Sequence, residues 1–237
     1  MSIGGIMRGL PELGLYKTDR KENHIFGNHV VEKHINFNKR IHTYDKPFSD
    51  NRKIKILVIG NSFARDWCNI ILEFSFADSF DLSYIEERDK KKAKLDNRPI
   101  QADIIFLVCA SREDATRISS HYKKDSLNFW NIGPKNFGVQ NGLIYANRKQ
   151  PDYFNQTAKL DSEILNKNEN LKSAWGEKYV DLLSFIKNSN NEVPVFTPDH
   201  HFFSQDCIHL TQAGAQFFAG VIPWNKITNT FQKETPQ

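Results

Sequence analysis

Residues 53–67 read KIKILVIGNSFARDW, and the change of character at the centre of this stretch decides the fold. Ile54, Ile56, Leu57, Val58 and Ile59 form a short β-branched apolar run, the composition of a strand buried on both faces of a parallel sheet. The run stops at Gly60-Asn61-Ser62, and beyond it Trp67, Ile70, Ile71 and Phe74 recur at helical spacing. A strand that passes abruptly into a helix points unpaired N–H groups at one place. A serine there is either an exposed nucleophile beside its own oxyanion donors or a plain helix N-cap following a glycine of permissive φ. The turn alone does not choose between them.

Outward from this stretch the pattern repeats. Residues 80–87 alternate like a second strand, and 102–110 (ADIIFLVCA) are the most continuous apolar run in the chain. A helix is expected over 114–122 and a fourth strand over 127–132. Gly133-Pro134-Lys135-Asn136-Phe137-Gly138 must be loop. Residues 142–154 are ambiguous, 157–175 read as one polar-faced helix or two, 178–185 as an edge strand leading into a short helix, and 193–197 as a last strand. Alternating strands and helices predict a three-layer α/β/α sandwich on a mainly parallel, flavodoxin-like sheet of about five strands. Ligands of such sheets sit at the carboxyl ends of the strands. Ser62, Ser111 with Arg112, Asn136 and His209 each follow a strand, so all four positions gather at one edge.

Residues 1–50 differ in kind: they are polar and aperiodic, and they read as an arm or linker before a domain over 51–225, with a short tail over 226–237. His24, His29, His34 and His42 stand five, five and eight apart, which fits neither a helix face nor a strand face, so no metal site is expected. The chain has 237 residues, 39% hydrophobic and 25% charged, with a net charge of +4, too mild an excess for a nucleic-acid binder. Cys68, Cys109 and Cys207 lack paired spacing and are expected as free thiols. No apolar run is long enough to span a membrane. The first residues resemble no secretory signal, which taken literally implies the cytoplasm; a fragment of a larger membrane protein would lie outside it.

A second stretch, residues 206–215 (DCIHLTQAGA), bears on the choice left open at Ser62. Asp206 and His209 are three apart, so in a helical turn they share a face and the carboxylate orients the imidazole. Thr211 then caps a last helix. A serine after the first strand and a D-x-x-H before the last helix resemble the SGNH/GDSL hydrolase superfamily, which implies a Ser62-His209-Asp206 triad working without metal or organic cofactor. His200 and His201, in DHHFF, are rival bases.

The resemblance is incomplete. Gly-Asp-Ser reads Gly60-Asn61-Ser62 here, no glycine follows the second strand, and the usual Gly-x-Asn-Asp after the third reads Cys109-Ala110-Ser111-Arg112. Asn61, Ser111, Arg112 and Asn136 are therefore the candidates for oxyanion or substrate binding beside the Ser62 N–H. Asn136 reads equally as a turn residue bonding its own backbone.

The IGNSFARDW opening, the arginine after the third strand, YVDLL and D-x-x-H-L-T-x-x-G resemble one branch. It comprises the SGNH domains associated with membrane acyltransferases that O-acetylate bacterial polysaccharides. This implies an O-acetyltransferase or acetylesterase acting on a carbohydrate or acylated small molecule, with a membrane acyltransferase as a partner. Phe202, Phe203, Trp130 and Tyr145 are candidates for sugar stacking or for packing. Two other readings stay open: a catalytically impaired carbohydrate-binding or interaction module on the same fold, and a flavodoxin-like phosphate binder at the Gly60 turn with no role for His209.

Overall fold

A computed structural model describes residues 36–86, 97–124, 126–138, 149–204 and 206–228. Strands β1 (Ile54–Gly60), β2 (Phe80–Glu86), β3 (Ile104–Val108), β4 (Phe129–Ile132) and β6 (Tyr179–Val180) form one sheet in the order β2-β1-β3-β4-β6. Every pairing in it is parallel. The chain leaves β1 toward β2 on one side and returns to β3 on the other, so the topological switch point lies at the carboxyl end of β1. The Gly60-Asn61-Ser62 turn stands at that point.

Alternation along β1 explains why its apolar run is continuous. Ile56 and Val58 face α1 (Ser62–Glu73) and α5 (Gln212–Val221), packing with Trp67, Ile70, Phe218 and Trp224. Leu57 and Ile59 face the opposite layer of α3 (Arg112–Tyr122) and α4 (Ser162–Trp175), with Ile105, Ala115 and Trp175. With helices on both faces, polar residues have no place in the strand. The sandwich is thus three-layered, as expected. Two short α-helices are α2 (Arg98–Gln101) and α6 (Trp224–Thr228); Trp224 of α6 stacks on Trp67 with ring centroids 5.5 Å apart.

Three expectations shift. The strand expected over 193–197 is Glu192–Pro194 (β7), and it lies outside the main sheet, paired antiparallel with Thr157–Lys159 (β5). Pro194 has no N–H to give to a central ladder, which suits a short edge pair. The helix expected from 157 begins only at Ser162, because Asp161 caps it by accepting the Glu163 N–H at 2.8 Å. The helix expected over 114–122 begins two residues earlier, at the Ser111 cap.

Of the N-terminal arm, the described part packs on the domain. Ile41 is fully buried, and Arg40 bonds Asn69 and Glu73 of α1. Residues 1–35, with His24, His29 and His34, lie outside the described residues, as do the end of the tail and most of the ambiguous stretch at 142–154. Among the described residues no group of three metal-ligating side chains occurs, no helix is long and apolar enough to cross a membrane, and Cys68, Cys109 and Cys207 are free thiols.

Candidate active site

The turn after β1 is built so that the serine is left over. Gly60 has φ +154°, and a Cβ there would stand 2.9 Å from the Ala64 Cβ, so the helix can start this close to the strand only above a glycine. Tyr84 from β2 donates its hydroxyl to the Gly60 carbonyl at 3.1 Å. Asn61 takes the N-cap position, its Oδ1 accepting the Phe63 N–H at 2.9 Å. Ser62 is therefore the first helical residue and not the cap, and among the described residues its hydroxyl has no hydrogen-bond partner. The plain-cap reading of Ser62 fails because Asn61 already fills that role.

The Asp206–His209 pair comes from the far end of the chain. Two isolated antiparallel bridges, Phe196 with Phe202 and Ser204 with Leu210, close a double loop between β7 and α5. Thr211 caps α5 by accepting the Gly214 N–H at 3.1 Å. Gly214 lets the helix approach Phe203: a Cβ would meet the Phe203 carbonyl oxygen at 2.5 Å. Inside this loop Asp206 and His209 meet, though not through a helical turn. Asp206 Oδ1 accepts the N–H groups of Ile208 and His209 at 3.0 and 2.7 Å and the Ser204 hydroxyl at 3.1 Å. The Asp206 Oδ2 to His209 Nδ1 distance is 2.6 Å. Cys207 adopts φ +66° to close the bend. Burial alone would raise the Asp206 carboxyl. The His209 ring bond, its charge and the two backbone donors outweigh it and hold the group well below the usual carboxylate range.

The two halves converge on Phe63. Its ring meets the His209 imidazole edge to face, centroids 6.1 Å apart and planes at 82°, so the imidazole stands beside the first turn of α1. No hydrogen bond joins Ser62 to His209; the structure joins Asp206 to His209 and brings that pair up to the serine's helix. A cleft of about 530 Å³ opens beside the switch point, lined by Gly60, Asn61, Glu86, Val108, Cys109 and Tyr122 among others; Ser62, Asp206 and His209 are not among the residues that line it. Its size suits a small-molecule site.

The remaining candidates are variously occupied. Ser111 is a capping box: its hydroxyl accepts the Asp114 N–H and its own N–H donates to Asp114 Oδ2 at 3.0 Å. Arg112 is exposed, its guanidinium 4.7 Å from the centre of the Trp175 ring. Asn136 Oδ1 accepts the Gly138 N–H at 2.8 Å, the turn role foreseen as its alternative. His200 stacks on Phe154 at 4.2 Å in a separate turn and is no rival partner for Asp206; His201 is exposed in that same turn, its N–H bonded to Thr197 Oγ1. Phe203 and Trp130 are buried and pack in the core, Phe202 leans on Phe196 at 4.4 Å, and Tyr145 lies outside the described residues.

Two groups escaped the sequence reading. Asn131 in β4 clamps the turn after β3, accepting the Ala110 N–H at 3.1 Å and donating to its carbonyl at 3.0 Å. Lys135 and Asp66 form an ion pair at 2.7 Å with side chains 2% and 1% exposed. The only signal was a lysine inside a Gly-Pro loop and an aspartate on the apolar stripe of a helix.

Five parallel strands between two helical layers define the class by fold as an α/β/α sandwich, with an Asp-His pair brought to the helix that leaves β1 at the sheet's carboxyl edge. Within that class the chain is similar to the periplasmic domain of the lipopolysaccharide acetyltransferase of Salmonella ser. Paratyphi A. The TM-score is 0.53 at 16% identity, over 76% of this chain and 84% of that one. No protein-family profile and no curated protein matches the sequence.

Proposed function

We propose that this protein is a serine-dependent acyl-transfer enzyme acting on small acyl esters of carbohydrates, acetyl first among them, as an O-acetyltransferase or an acetylesterase. The observation that carries the reading is the 2.6 Å Asp206–His209 pair set against the first turn of a helix whose leading serine is left uncapped. The acetyltransferase domain of like fold supports the acyl chemistry and the polysaccharide substrate, and its periplasmic setting supports the extracytoplasmic alternative. A membrane acyltransferase is the partner that the sequence resemblance implies.

In this proposal Ser62 Oγ attacks the ester carbonyl carbon while His209 Nε2 takes the hydroxyl proton. Asp206, ionised, holds Nδ1–H and steadies the imidazolium. The tetrahedral oxyanion is met by the Ser62 N–H and by donors among Asn61, Arg112 and Asn136. As the C–O bond to the leaving alcohol breaks, His209 returns the proton to it and an acyl-serine remains. A sugar hydroxyl or water then attacks by the same steps in reverse. The Ser62–His209 hydrogen bond this step needs forms in the substrate complex, where catalytic hydrogen bonds tighten.

The test is covalent. A fluorophosphonate should label the intact protein at Ser62, and Ser62→Ala should remove the label together with p-nitrophenyl acetate turnover. Folded wild-type protein that stays unlabelled refutes the proposal. One observation favours a second reading, a carbohydrate-binding module without efficient catalysis. The Ser111 N–H is spent on Asp114 and Arg112 lies on Trp175, leaving few committed oxyanion donors. Sugar binding that survives Ser62→Ala, in an unlabelled wild type, would select it.

A further inference from the structure

The loop that carries His209 is anchored at its two ends by the buried Phe203 and Leu210, but between them Ile208 is 38% exposed. Over this exposed middle the loop is held by the segment after β4. Phe137 N–H donates to the Cys207 carbonyl at 2.9 Å, and Lys135 Nζ donates to the Ile208 carbonyl at 2.6 Å. The same ammonium pairs with Asp66 Oδ2 at 2.7 Å and stands 3.7 Å from the centre of the Phe63 ring. An ammonium has three protons and no acceptor. Here its surroundings are a carboxylate, a backbone carbonyl and an aromatic face.

These partners belong to different parts of the site. Phe63 and Asp66 lie on the first turns of the helix headed by Ser62, and the Phe63 ring also meets the His209 ring edge to face. Ile208 immediately precedes His209. We infer that Lys135 is a positioning residue: its buried ammonium locks the D-x-x-H loop to the nucleophile helix and so sets where the His209 imidazole stands relative to Ser62. Replacing such a pair by well-packed neutral groups often leaves stability intact, so a purely structural Lys135 would be dispensable when Asp66 is neutralised with it. A positioning Lys135 would not be, because the Ile208 carbonyl loses its donor in either case. This inference rests on the proposed acyl-transfer role of Ser62 and His209.

The experiment compares wild type, Lys135→Met and the double variant Lys135→Met/Asp66→Asn. Lys135→Met alone leaves a buried carboxylate unpaired and should lower the melting temperature; the double variant should regain most of it. The double variant should nonetheless label with fluorophosphonate and turn over p-nitrophenyl acetate about 10- to 100-fold more slowly, in kcat and not in KM, the scale expected of a misplaced catalytic group. The ¹H–¹⁵N signals of the His209 ring, assigned with His209→Gln, should shift in the double variant. A double variant that matches wild type in kcat with an unmoved ring signal overturns the inference. If wild-type protein is never labelled, the acyl-transfer reading fails instead. The ring signal then still tests the positioning: moved, it supports the lock; unmoved, it refutes it.

Discussion

Asp206→Asn tests the base half of the site most directly, because the side chain's shape is kept while its charge and one acceptor are lost. The carboxylate has two separable duties. Oδ1 gathers the Ile208 and His209 N–H groups and the Ser204 hydroxyl, and Oδ2 faces His209 Nδ1 at 2.6 Å. An asparagine keeps the first duty with its oxygen and must turn its NH₂ toward Nδ1. That forces Nδ1 to accept, so the neutral ring carries its proton on Nε2 and cannot take one from Ser62. The cost in rate should approach the ~10⁴-fold seen for this substitution in triads generally, which is about 5 kcal/mol of barrier at ~1.36 kcal/mol per decade.

The cost in stability should be far smaller. One charge-assisted hydrogen bond is lost in a site where the Asp206 side chain is 13% exposed, worth about 1.5–3 kcal/mol. For a domain of this size that is a fall of about 5–10 °C in melting temperature. Pre-steady-state fluorophosphonate labelling gives the rate and calorimetry gives the melting temperature, both on the same preparation. A folded Asp206→Asn protein that labels within tenfold of wild type would show that Asp206 does not set the working tautomer, and the base assignment would fall with it.

The same carboxylate predicts a pH effect on stability. Its folded pKa is depressed, so its contribution is complete above the unfolded value near ~3.9 and is lost as pH falls through the folded value. The gap in melting temperature between wild type and Asp206→Asn should stay constant above about pH 5 and narrow below about pH 4; a gap that widens on acidification contradicts the assignment. Gly60→Ala should destabilise by about 1–3 kcal/mol in urea unfolding, from the 2.9 Å approach to the Ala64 Cβ, and Ala64→Gly should relieve part of that. Arg112→Ala separates a cationic oxyanion donor from a side chain stacked on Trp175. A fall of about 10²-fold in acylation rate keeps Arg112 in the site, whereas an unchanged rate removes it.

The parts of this site that could be read from the sequence are those whose cause is local. Gly60, Asn61 and Ser62 lie within one turn, and Asp206 and His209 bond across three positions, so two short motifs marked them, although the pair meets through a bend and not the helical turn expected. The five-strand count was legible for the same reason, since a strand covered on both faces writes its burial into its own composition. Where pairing depended on a distant partner the reading slipped. Residues 193–197 (VPVFT) read as an apolar strand, yet the strand that forms is Glu192–Pro194, paired with Thr157–Lys159, and nothing within either segment says so.

Lys135 is the sharpest case. A lysine in a Gly-Pro loop is ordinarily solvated, and only the arrival of Asp66, Phe63 and the Ile208 carbonyl from three separate stretches makes it a buried one. Sequence motifs therefore mark the groups that would react, because each is presented by its own turn. They miss the groups that hold those turns together, because a lock between distant segments has no spacing of its own. A serine turn and a histidine loop could each be intact and still lie too far apart to exchange a proton. The separation is governed by the lock, so the residue least visible in the sequence is the one on which the assembled site depends.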